Sequence, residues 1–161
     1  LLIISTEYQK KFMKAVIQRV ERAAVRIDNR EVGAVGRGIL LLLGIHSTDG
    51  ERELQWLAEK SLNLRIFEDE KKKMNLSLKD IAGEMLIVSQ FTLYGDCRKG
   101  RRPGFSAAAM PSHAEPLYER FIEEIRRAGI STACGVFGAN MKVELINDGP
   151  VTLLLDTEHL E

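Results

Sequence analysis

Short apolar runs alternate with polar turns along most of the chain. Lys14 to Val20 (KAVIQRV) and Ala23 to Ile27 (AAVRI) are β-prone; the polar turn Asp28-Asn29-Arg30 follows, then Glu31 to Val35. Two such runs about an Asp-Asn turn predict a hairpin. Glycines punctuate at Gly36 and Gly38, and Ile39 to Ile45 (ILLLLGI) is continuously apolar, as a strand buried on both faces would be. Its short length and flanking glycines favour strand over buried helix. Asp49 is the expected N-cap of a helix carrying Leu54, Leu57, Ala58, Ser61 and Leu64 at helical spacing. Lys71-Lys72-Lys73 suits a solvated turn, and Met85 to Leu93 (MLIVSQFTL) predicts another strand. Glu115 to Gly129 predicts the clearest helix, with Leu117, Phe121, Ile122, Ile125 and Ala128 in one stripe and Gly129 ending it. Met141 to Ile146 and Val151 to Leu155 read as two late strands, broken by Asn147-Asp148-Gly149-Pro150. With no repeat and no low-complexity linker, the pattern predicts one α/β domain with a dominant β layer and two main helices.

Residues 1–12 fall outside this pattern. Their apolar run is far too short for a membrane span, and Lys10 and Lys11 follow it rather than precede it, against a secretory signal. Met13 reads as the natural start, so 1–12 are expected to be a leader or non-native extension and 13–161 the single domain. No later stretch reaches membrane-spanning length. The 161 residues are 45% hydrophobic, with 23 acidic and 23 basic side chains, which suits one domain with a real core. A neutral chain is no general polyanion binder, so any nucleic-acid contact requires a local basic patch. Cys97 and Cys134 form no CxxC pair, which fits a reduced, cytoplasmic setting.

Three segments can carry chemistry. In Ser89-Gln90-Phe91-Thr92-Leu93, polar residues interrupt an apolar strand, and buried polar groups need partners or a function. A strand surfacing at its edge, with hydroxyls bonded to nearby backbone, explains the same pattern. Asn147-Asp148-Gly149-Pro150-Val151-Thr152 reads either as a plain hairpin corner or as a stiff, side-chain-poor edge facing a ligand. Its sequence alone does not set the isomer at Pro150. Arg98, Lys99, Arg101 and Arg102, with Gly100, Gly104 and Phe105 beside them, suit a phosphate backbone or simply a solvated loop; their place directly after SQFTL favours the functional reading. His46, His113 and His159 share no metal-ligand spacing, no nucleotide-binding motif occurs, and nothing in the spacing of Ser89, His113 and Asp96 supports a triad. No metal and no cofactor are expected.

SQFTL together with NDGPVT resembles the paired motifs of the D-aminoacyl-tRNA deacylases. KAVIQRV, LLLLGI, LNLRIFED, KMNLS and RRPGFS occur in that family's order and spacing, so the resemblance runs from Met13 to about Asp156. It implies a mixed, largely antiparallel, barrel-like β layer with two main helices on one side. It also implies hydrolysis of the ester between a D-amino acid and the terminal adenosine of tRNA, in a homodimer with active sites at the subunit interface. By the same resemblance, Gly149-Pro150 of one subunit, joined by a cis peptide, reaches into the partner's pocket, and Arg19 helps to fix that corner. Ser89, Gln90, Phe91 and Thr92 line the pocket for the aminoacylated adenosine; Asp148 sits at a variable position and is given no role. Gln90, Phe91 and Thr92 are the expected oxyanion donors, with the 2′-hydroxyl of the tRNA positioning water. A nucleophilic Thr92 would need an adjacent base, which the motif does not supply. Exclusion of L side chains would still admit glycine. The basic loop is the expected tRNA contact. The competing readings are a sister deacylase for an L-amino acid on the wrong tRNA, a non-catalytic RNA-binding homologue, and a structural dimer, which would leave the basic loop unexplained.

Overall fold

The computed structural model describes residues 12–160; the expected leader lies outside these residues except for Phe12. β1 (Lys14–Ile27) is one continuous strand, where the sequence pattern predicts two. Its halves share one edge between two partners: Lys14 to Val20 pair with β3 (Gly38–Gly44), and Ala23 to Ile27 with β2 (Arg30–Val35). Along its other edge, β8 (Lys142–Asp156) pairs with both halves. This pairing carries the strand through Glu21 and Arg22, which are exposed and polar. The β1–β2 turn places Asp28 and Asn29 at φ 49 and 63, the left-handed geometry a tight hairpin needs. β8 is likewise one strand, not two.

The main sheet runs β2-β1-β3-β6-β7 with β8 beside β1. β3 is parallel to β6 (Glu84–Ser89), and β6 to β7 (Ser131–Cys134), so the sheet is mixed. β7 and the small hairpin of β4 (Phe67–Glu68) and β5 (Met74–Leu76) carry no clear periodicity in the sequence.

Both faces of the central strands are buried, and alternation sorts their side chains. Ile39, Leu41, Leu43, Met85 and Ile87 face the two helices, while Leu40, Leu86 and Val88 pack in a second cluster with Val20, Ala23 and Val25. A register shift between Val20 and Arg22 accompanies the change of face along β1: Ala15 and Ile17 lie on the helix side, and Ala23 and Val25 on the other. The sheet thereby curls until β2 lies over β7. A Cβ at Gly33 would come within 2.9 Å of the Cys134 carbonyl oxygen, so the curl needs a bare backbone there.

α1 (Glu51–Asn63) and α2 (Pro111–Arg127) share the helix-side core through Leu54, Leu57, Ala58, Phe121, Ile122 and Ile125. Ala128 lies past the end of α2 and is exposed, outside the expected stripe. The N-cap of α1 is Gly50, not Asp49: Glu53 accepts the Gly50 N–H at 2.9 Å. Asp49 instead turns inward to accept the His46 N–H at 2.6 Å and is 4% exposed.

Burial pushes the Asp49 carboxyl from 3.8 up to about 7, against the opposing hydrogen bond from His46. A carboxyl raised in the folded state favours its protonated form, so its contribution is full below ~pH 4 and is lost as pH rises through ~pH 7. Asp49→Asn is expected to remove a decline in melting temperature that the native chain shows across that window. Parallel pH profiles for the two proteins would contradict this.

Candidate active site

β6 delivers Ser89 to its carboxyl end, opposite Leu43, and the Gln90 N–H donates to the Leu43 carbonyl at 2.8 Å. There the strand stops. Phe91–Tyr94 forms a single 3-10 turn in place of the expected strand end; Tyr94 is drawn into the core, where its hydroxyl lies 2.5 Å from the Phe12 carbonyl oxygen and 3.1 Å from that of Gly44. Turning at this point lifts Phe91 and Thr92 out of the sheet, and both are exposed. As the first residues of a helical turn, they have N–H groups without partners inside it. The Gln90 side-chain amide donates to the Thr92 hydroxyl oxygen, and the Phe91 ring meets Phe105 edge-on at 5.2 Å.

Among the described residues, the side-chain partner of Thr92 is the Gln90 amide, and no base is bonded to it. His113 Nε2 lies 2.8 Å from the Asp49 carbonyl oxygen, and the Asp96 carboxylate is held by Arg98. Ser89, His113 and Asp96 therefore form no triad. Among the described residues, no three His, Cys, Asp or Glu side chains converge to hold a metal ion.

The second element is the corner on β8. Gln18 pairs with Thr152 and Val20 with Asn147, so four residues of β8, 148 to 151, stand opposite Arg19 alone. The surplus bulges outward as Asp148-Gly149-Pro150, all exposed, with a cis peptide between Gly149 and Pro150. Arg19, 5% exposed, forms the floor. Its Nε donates to the Asp148 carbonyl at 3.1 Å and its Nη1 to the Ile66 carbonyl at 2.7 Å. The Asp148 carboxylate lies 3.3 Å from the same Nε, a contact the sequence alone did not suggest. Gly149 sits at φ 128; a Cβ there would lie 2.9 Å from Val151 Cγ2 and 3.1 Å from Arg19 Nη2.

The corner and the strand end are not neighbours within one chain. From β8 through β1 and β3 to β6 there are three strand spacings, about 14 Å, and Arg19 lies about 13 Å along β1 from Ala15, which is level with Ser89.

Arg98, Lys99, Arg101 and Arg102 follow the 3-10 turn in an exposed loop pinched by pairing of Asp96 with Gly104. Arg98 grips Asp96 through Nε at 2.9 Å and Nη2 at 2.6 Å. Lys99, Arg101 and Arg102 enter no ion pair among the described residues.

Main-chain donors at a strand end, with no strong base beside them among the described residues, suit an ester hydrolase whose substrate is already activated. Similarity to known proteins narrows this class. The family model for D-Tyr-tRNA(Tyr) deacylase matches residues 16–156. A relative from Geobacter sulfurreducens, named D-aminoacyl-tRNA deacylase, is 59% identical over 146 residues, 91% of this chain and 96% of its own. A solved structure titled c-Myc DNA Unwinding Element Binding Protein is 44% identical with a TM-score of 0.83, covering 88% of this chain and 97% of that one. Another, titled as a probable eukaryotic D-amino acid tRNA deacylase, has a TM-score of 0.79 over 90% of this chain and 99% of that one; at 21% identity it bears on the fold alone. The chain belongs to the D-Tyr-tRNA(Tyr) deacylase family.

Proposed function

We propose that the chain hydrolyses the ester between a D-amino acid, or glycine, and the 3′-terminal adenosine of tRNA, in a homodimer where one subunit's corner completes its partner's pocket. The observation that carries this reading is the pairing of two incomplete elements. The strand end at Ser89 to Thr92 offers donors but nothing that reads chirality. The Gly149-Pro150 corner offers a rigid, nearly bare backbone edge with no N–H at Pro150, and it lies too far away on the same chain. A second copy supplies what is missing. β8 supports such an assembly: among the described residues nothing pairs with the outer edge of this 15-residue strand, and Ile146 is 40% and Leu154 80% exposed. A long apolar edge strand pairs readily with another chain.

In this mechanism, water positioned by the 2′-hydroxyl of the tRNA attacks the ester carbonyl. The Phe91 and Thr92 N–H groups, with the Gln90 amide, receive the negative charge that develops on its oxygen; one such donor is typically worth ~10²–10³ in rate. The bond from the carbonyl carbon to the ribose 3′-oxygen then breaks, and the departing oxygen takes up the proton that the water gives up, leaving free amino acid and a 3′-hydroxyl. Thr92 binds and is not the nucleophile, so no acyl-Thr92 adduct is expected on trapping. The corner's carbonyls bond the α-amino group and leave no room for an L side chain. The decisive assay follows ester loss from D-tyrosyl-, L-tyrosyl- and glycyl-tRNA with a chelator present. Loss from the D and glycyl substrates alone is the expected result; equal loss from D and L, or none from D, would refute the reading.

The loop from Arg98 to Arg102 is the proposed contact for acceptor-stem phosphates. Because Arg98 is already engaged by Asp96, the effective cations are Lys99, Arg101 and Arg102. Arg101→Glu with Arg102→Glu is expected to raise KM and flatten the salt dependence of turnover. An unchanged salt slope would move the contact elsewhere. Both cysteines are free, and no helix among the described residues is long and apolar enough to cross a membrane. A cytoplasmic setting, where aminoacyl-tRNA is made and used, accords with the activity.

A further inference from the structure

We infer that Asn147 is the positioning residue that sets the shape of the Gly149-Pro150 corner, and so the strictness of chiral selection. The inference rests on the deacylase reading above and adds to it the device that holds the corner closed.

The four-for-one register at Arg19 makes a bulge with a neck between residues 147 and 151. Arg19 supports the bulge from below, but among the described residues its side-chain bonds reach Asp148 and Ile66 alone. The neck is tied by a side chain. Asn147 Nδ2 donates to the Val151 carbonyl at 2.9 Å, across the base of the bulge, and to the Arg19 carbonyl, also at 2.9 Å, on the neighbouring strand. Both amide hydrogens are thus used on main-chain carbonyls, fastening the two ends of the corner to each other and to β1. A side-chain relay sets the amide's orientation. Thr152 Oγ1 donates to Asn147 Oδ1 at 3.4 Å, and Gln18 Nε2 donates to Thr152 Oγ1 at 3.3 Å. Flipping the Asn147 amide would set its oxygen against two carbonyl oxygens, so only one orientation satisfies the site. Asn147 is half-buried behind the bulge, while Asp148, Gly149 and Pro150 are exposed. It therefore acts through the corner rather than on a substrate.

Asn147→Asp keeps the side chain's shape and replaces both donors with an acceptor. Loss of two neutral hydrogen bonds that fix one geometry is expected to lower the ratio of D- to L-tyrosyl-tRNA hydrolysis by about tenfold or more, with KM for the tRNA nearly unchanged. Thr152→Val, which removes only the orienting hydroxyl, should shift the ratio in the same direction by less. In 15N-labelled protein, the Gly149 amide should exchange faster with solvent in both variants while resonances of β3 and β6 stay in place. Should Asn147→Asp fail to fold, Thr152→Val carries the test alone. An unchanged D-to-L ratio together with unchanged Gly149 exchange, in whichever variants fold, would overturn the inference. A native protein that does not hydrolyse D-tyrosyl-tRNA would instead refute the parent reading, and Gly149 exchange would still report on the tie.

Discussion

Gly149→Ala is expected to lower hydrolysis of D-tyrosyl-tRNA by ~10²-fold while the protein remains folded, since displacing a positioning edge by even 1 Å has effects of that order. The added methyl has nowhere to go. At φ 128 the backbone already occupies a region that side chains rarely adopt, and the Cβ would meet Val151 Cγ2 at 2.9 Å and Arg19 Nη2 at 3.1 Å. Relief requires the bulge to shift, which moves the carbonyls proposed to receive the α-amino group. The corner is exposed and lies outside both core clusters, apart from Val151, so the global fold should hold. Circular dichroism and a thermal melt check the fold, and single-turnover assays check the chemistry. A near-native rate in Gly149→Ala would mean that the corner does not touch the reaction.

Arg19→Ala should have the second-largest effect, and it should differ in kind. This guanidinium is buried, and its hydrogen bonds tie the corner to the segment before β4 through the Asp148 and Ile66 carbonyls. Truncation leaves the buried Ile66 carbonyl without a partner and opens a gap under Gly149. Loss of charged hydrogen bonds in a buried site costs about 2–4 kcal/mol of stability, and activity should fall with it. Arg19→Lys is expected to recover little, because an ammonium cannot present the same planar fork to two carbonyls. Chemical denaturation of the three proteins measures this directly; a difference below about 0.5 kcal/mol for Arg19→Ala would show that Arg19 is not a structural support.

What could be read in the sequence follows the strength of local signals. ILLLLGI is apolar at every position from Ile39 to Leu43, because both faces of β3 are covered, and it is the strand the pattern predicts. The helix from Pro111 to Arg127 shows its period for the same reason, one wet face against one dry. The two long strands are harder. β1 and β8 each cross a polar stretch that reads locally as a break, and only their pairing with each other carries them through it. β7 is four residues with no fully buried side chain, too short to show alternation. The strand end after Ser89 fails for a different reason. Whether Phe91 to Tyr94 extends or coils depends on Tyr94 reaching the Phe12 and Gly44 carbonyls, contacts 82 and 50 residues distant in sequence.

The candidate site divides along the same line. SQFTL and NDGPVT stand out as motifs, and Arg19 is identified by family resemblance, but the separation of the two motifs along the sheet belongs to the register of β8, β1, β3 and β6. So does the tie made by Asn147, whose partners Arg19 and Val151 meet only because four residues oppose one. The Asp49 side chain is misread for a simple physical reason. Its position before a helix suits a cap, yet the His46 N–H competes for the carboxylate and holds it inside.

If the active site is shared between two copies, damage to the two halves should complement. A Gly149→Ala subunit and a Gln90→Ala/Thr92→Ala subunit, carrying different tags and co-expressed, can be isolated as mixed pairs. Each mixed pair would carry one site built wholly from intact elements and one built wholly from damaged ones. D-tyrosyl-tRNA hydrolysis by the mixed pair is predicted to return to about half of the native rate per dimer, though each parent alone is nearly inactive. A mixed pair no faster than its parents, or tags that never copurify, would contradict a site completed by the partner's corner.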